Sequence, residues 1–248
     1  MINMKFFPYI PVLRSSSAPW SQCYLGLIYS KVELQPTSEY YKNLIEAQIY
    51  SLSKLCTTPN IPDVSSFKDY KALLKNLGVP PQHYTELNEQ QIVSAMQGKN
   101  ITPMNQLEAV NFLFSLEQMR SITTYDLDKI DSPHIHFRLG YLEESFPTPC
   151  GGRQSLHNVP LLADDKTWLA TPMGHNHAPL DYCSKNILTV IWSFTGIHGL
   201  LNQLMALSKY QEKHMPAQTH HTAIVHQFPT LIEAIMPPHP INTTYNLF

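Results

Sequence analysis

The chain has 248 residues, 43% of them apolar and 15% charged, which excludes a disordered polyelectrolyte and suffices for a buried core. Seventeen lysines and arginines against nineteen acids give a net charge of −2, so no chain-wide basic field draws nucleic acid, although a local patch can. No run of about 18 apolar residues occurs that would predict a membrane span.

In chain order, "YLGLIYSKV" (24–32) is rich in β-formers and predicts a strand. Thr37 or Ser38 caps a predicted helix to about Leu55, with Tyr41, Leu44, Ile45, Ile49, Leu52 and Leu55 at the three-four spacing of one buried face. Ser66 caps a second helix to Leu77, stopped by Gly78. Asn88 with Gln91 has the form of a capping box for a short helix ending near Gly98, and Thr102-Pro103 opens another to about Met119.

The periodicity then changes. "HIHFRLGYL" (134–142), "TWLATPM" (167–173) and "NILTVIWSF" (186–194) predict short strands, the last apolar almost throughout, as a strand covered on both faces is. Thr195 to about Tyr210 predicts a closing helix, and 211–248, rich in His and Pro with one apolar island "TLIEAIM", predicts a C-terminal extension, partly docked. Helices early and strands late predict an α+β fold, one domain over 1–210, with helices around a mixed or antiparallel β-structure.

Chemistry-bearing motifs are sparse. His134 and His136 would share one face of a strand, and His175 and His177 would do the same in an extended segment, so two H-x-H pairs could supply metal ligands. Twelve histidines make such pairs common by chance, and no metal or cofactor is expected. His177 and Asp181 have the H-x-x-x-D spacing of an acyltransferase base, but Tyr182 stands where glycine usually follows. No nucleophile elbow, P-loop or dinucleotide fingerprint is present. Cys23, Cys56, Cys150 and Cys183 form no C-x-x-C pair, and the opening residues are broken by Pro8 and Pro11, so a cytoplasmic protein with reduced thiols is expected.

Three stretches together resemble a known family. "NQLEAVNFLFSLEQMRSITTYDLDKI" (105–130) is similar to the "N-x-V-D-x-x-N-Y" and "H-A-F-D-x-D-K" segments of the phenylalanyl-tRNA synthetase β-chain: Asn105, Glu108, Asn111 and Phe112 fall on N, D, N and Y. Ala170, Met173, Gly174 and Asn186 keep the register of "A-G-x-M-G-G" and the N-[IV]-[LF] strand after it. Leu77 to Tyr84 has the "L-G-x-x-P-x-x-Y" shape of free-standing relatives. The resemblance covers about 66–206 and implies a B3/B4 domain, the family's tRNA-editing module, which hydrolyses wrongly esterified tyrosine from tRNA.

Carried over residue by residue, it implies a substrate pocket of Asn111, Thr123, Gly174, His175, Asn176 and His177. Val110 replaces a threonine, Thr123 stands near the family's histidine, and His175 to His177 replace a glycine and an acidic rim. Loss of that carboxylate implies relaxed discrimination, since buried polar recognition is worth several kcal/mol. The partner implied is tRNA or an aminoacyl-tRNA end, bound weakly and salt-sensitively, with no membrane. Two other readings stay open: a non-catalytic binding module with a degenerate pocket, and a metal hydrolase using His134, His136, His175 and His177.

Overall fold

The computed structural model describes residues 23–55, 65–132, 135–148, 151–215 and 217–226. Its spine is a four-stranded sheet in the order β2-β8-β1-β9, from β1 (Tyr24–Val32), β2 (Ile122–Asp126), β8 (Asn186–Ser193) and β9 (Ala217–His226). Every ladder in it is antiparallel, and β8 and β1 are the inner strands. That position explains the almost unbroken apolar run of β8, which is buried on both faces.

One face carries helices. α4 (Gln106–Gln118) and α5 (Leu200–His214) pack there, through Phe114, Leu200, Leu204 and Leu207 against Ile28, Ile122 and Ile191. Gly26 lets α5 approach: a Cβ there would lie 3.2 Å from the Cδ1 atoms of Leu200 and Leu204. α1 (Glu39–Leu55) and α3 (Leu87–Met96) cover the outer side of α4 through Tyr41, Ile45, Leu52 and Ile92.

The other face carries the largest core. Leu25, Leu27, Tyr29, Leu188, Val190 and Trp192 meet α2 (Ser65–Asn76) and a second antiparallel sheet, β3 (His136–Leu139), β6 (Pro160–Ala163) and β7 (Trp168–Ala170). β4 (Ser145–Pro147) and β5 (Arg153–Ser155) form a small hairpin. The fold is α+β, with the β-structure antiparallel throughout these ladders.

Several expectations need correction. Residue 210 is no boundary: α5 runs to His214, Gln211 is buried against α4, and 217–226 is the sheet's outer strand. His- and Pro-rich composition disguised a strand whose core is Thr222-Ala223-Ile224. α4 starts after Asn105, not at Thr102-Pro103, because the Asn105 side chain accepts from Glu108 N at 2.9 Å. Asn88 caps nothing; it lies inside α3, buried, and its Nδ2 donates to Ser115 O at 3.0 Å. Ser66 sits inside α2, where its hydroxyl donates to Met119 O. His134, Cys56, Cys150 and "TLIEAIM" lie outside the described residues.

Candidate functional site

α4 is buried nearly all round, from Leu107 to Leu116. One stripe of it departs from the apolar pattern: Glu108, Asn111, Phe112 and Ser115, spaced by three, four and seven, form one face. That face lines a cavity of about 340 Å³. The helix start is fixed by a reciprocal cap, in which Asn105 Oδ1 accepts from Glu108 N while Glu108 Oε2 accepts from Met104 N at 3.0 Å.

The opposite wall is the outer edge of β2. Trp192 N donates to Ser121 O at 3.0 Å, and Asp126 N donates to Ala178 O at 2.9 Å on the other side. Antiparallel parity therefore turns the backbone groups of residues 122, 124 and 126 away from β8. Residues 122–125 all line the cavity, and among the described residues no backbone partner takes the N–H or C=O of Thr124. The side chain of Thr123 faces inward instead, its Oγ1 accepting from Tyr125 Oη at 2.5 Å and Trp192 Nε1 at 2.8 Å.

The floor is the turn at Met173-Gly174. Gly174 adopts φ +90°, its N–H donates to Thr171 O, and a Cβ there would meet Leu87 Cδ1 at 2.9 Å. Leu87 itself is anchored through its N–H to Pro172 O. Beyond the turn the backbone is extended, with Asn176 bridged to Ala170 and His177 N bonded to Leu169 O. Side chains therefore alternate. Asn176 lines the cavity, its Oδ1 fixed by Ala178 N at 2.7 Å.

The two histidines point elsewhere. The His175 ring lies 3.7 Å from that of Phe146, and burial pushes its pKa down, keeping it neutral. His177 packs 3.9 Å from the Trp168 ring, while Asp181, its acyltransferase-like companion, pairs with Lys129 at 2.7 Å. His136 bonds Asp165 at 2.8 Å, away from both. Among the described residues no group of three or more His, Cys, Asp or Glu side chains is placed to hold a metal.

So Asn111, Thr123, Gly174 and Asn176 line one cavity, and His175 and His177 do not. No protein-family model matches this sequence, and no curated protein does.

Asn111 is 4% exposed, and Gln211 Nε2 donates to its Oδ1 at 2.7 Å, leaving its Nδ2 with no partner among the described residues. Asn111 thus lines the cavity as a residue, while its amide is buried and held from behind by Gln211. Glu108 is the carboxylate that sequence reading missed here: it comes from the helix, not from the rim after Gly174. The signal was the polar stripe 108-111-115 on an otherwise apolar helix. Among the described residues that line it none is His or Cys, Ser115 Oγ is tied to Phe112 O at 2.8 Å, and Thr102 and Thr124 bring further hydroxyls. The site can orient a polar ligand and a water.

A larger cavity of about 580 Å³ lies by β3 and β7. Two charge pairs within it are closed, Arg138 with Glu144 at 2.6 Å and His136 with Asp165 at 2.8 Å, while Arg153 bonds Ser145 and Lys166 reaches Asp131.

Proposed function

We propose that this protein is a B3/B4-like module that takes the aminoacyl end of a tRNA, or a related small amino ester, into the α4–β2 cavity and hydrolyses the ester. The observation that carries the reading is the meeting of Asn111, Gly174 and Asn176 in one cavity, from two sequence segments linked only by the family resemblance. Editing of this kind needs positioned water, donors to the developing oxyanion and the substrate's own ribose hydroxyl, so a side-chain nucleophile is not required. Tyr182 adds support: it is exposed, and its hydroxyl donates to the carbonyl of cavity-lining Met104, so its ring is at hand for a terminal base.

The test is release of amino acid from a panel of mischarged tRNAs in trans. Accelerated deacylation of one or a few members, lost in Asn176→Ala, is expected. Binding without turnover would favour the non-catalytic module, a reading supported by the tied-up Ser115 hydroxyl. No binding and no turnover across the panel would discard both.

A further inference from the structure

We propose that Glu108 recognises a cationic α-amino group, so that the cavity accepts free α-aminoacyl compounds and turns away their N-acylated forms. This deepens the aminoacyl reading and rests on it. Glu108 is the only charged side chain among the described residues that line the cavity. Its cap to Met104 N uses one carboxylate oxygen and leaves the other for a ligand. An ammonium brings three donors and full charge, which a carboxylate in a partly desolvated cleft meets better than any neutral group there.

The neighbouring groups have the matching order. One turn along the same face lies the Asn111 amide, and across the cavity lies Thr124, whose backbone carbonyl and N–H are turned away from β8. An aminoacyl group carries a donor-rich ammonium next to an acceptor carbonyl, and the stripe of α4 carries an acceptor and then a donor. Acylating the amine removes its charge and two of its three donors, leaving Glu108 unpaired against an amide.

The bland alternative is that Glu108 only caps α4. Glu108→Gln separates the two, because the glutamine oxygen can still accept from Met104 N. The probes are 3′-aminoacylamido-3′-deoxyadenosines carrying alanine, serine, leucine or phenylalanine, each as free amine and as N-acetyl derivative, titrated calorimetrically. At least one free amine is expected to bind about tenfold or more tightly than its acetylated partner. Glu108→Gln should erase that difference by weakening the free amine, with little change in melting temperature. Equal binding of the two forms by the wild type, or a preference surviving in Glu108→Gln, overturns the role of Glu108 and leaves the aminoacyl reading standing. If no probe binds and no mischarged tRNA is deacylated, both fall.

Discussion

At the scale of single residues, Asn111 both lines the cavity and ties α4 to α5. Under the proposed function it therefore serves substrate and scaffold together. Its Oδ1 takes Gln211 Nε2, whose other contact, Thr189 Oγ1, is at 3.4 Å. Asn111→Ala should therefore cost about 1–3 kcal/mol by orphaning a buried donor, as well as weakening deacylation. Asn176→Ala loses only a half-buried bond to Ala178 N and should cost no more than about 1 kcal/mol while lowering turnover similarly. Equal melting temperatures for the two variants would contradict this ranking.

Glu86 makes a second prediction at this scale. It is 2% exposed, and burial pushes its carboxyl up to about 8; the Ser121 hydroxyl, Arg120 and Lys71 pull it down, and Glu89 pushes it further up. The folded state then holds this proton more tightly than the unfolded chain, where the pKa is about 4.3. Between those values folding binds a proton, so this group's stabilisation is full at acid pH and is lost as pH rises toward about 8. Urea midpoints of the wild type should fall across that window with a slope of up to about 1.4 kcal/mol per pH unit from Glu86. Glu86→Gln should show a flatter profile, and parallel curves for the two proteins would refute the assignment. His175 and His177 lie outside the cavity that Asn176 lines, because neighbouring side chains on an extended segment point to opposite faces.

Secondary-structure elements were legible where their periodicity was strong. α1 and α2 follow from their three-four apolar spacing, and β8 from a run that only a doubly covered strand carries. β2, β6 and β9 carry no such pattern. β2 mixes Thr and Asp, of which Thr123 bonds Trp192 and Tyr125 and Asp126 bonds Ser184, and β6 begins with a proline. β9 closes the sheet by pairing with β1 from Tyr24 to Val32. Truncation after Met215 would strip β1 of that neighbour and leave a long apolar strand with an open edge, a template for aggregation. The truncated protein should elute as large species in size-exclusion chromatography and melt at a lower temperature. A monomer with an unchanged melting temperature would mean that β9 contributes nothing to the core.

At the scale of the whole molecule, the switch from helical to strand periodicity gave the α+β class, but not the order of strands. The central pairing joins β1 to β8 across more than 150 residues of sequence, and no local pattern encodes that partner. Long-range charge, by contrast, is readable without a structure and constrains any contact with RNA. Seventeen basic residues face nineteen acids. Several of the bases are already engaged: Lys71 with Glu89 at 2.6 Å, Lys129 with Asp181 at 2.7 Å, and Arg138 with Glu144 at 2.6 Å. Each phosphate neutralised adds a slope of about −0.7 to −0.9 to the plot of log affinity against log salt. A protein that contacts one to three phosphates should thus show a total slope of about −1 to −3 with tRNA, measured by fluorescence anisotropy across a salt series. Under the proposed function the aminoacyl group supplies the specificity, so uncharged tRNA should bind more weakly than the aminoacylated form at every salt concentration. A slope steeper than about −6 would point to an extended basic interface, which the net charge of the protein argues against, and tight binding of uncharged tRNA that survives high salt would point to a non-electrostatic interface outside the cavity; either overturns the expectation.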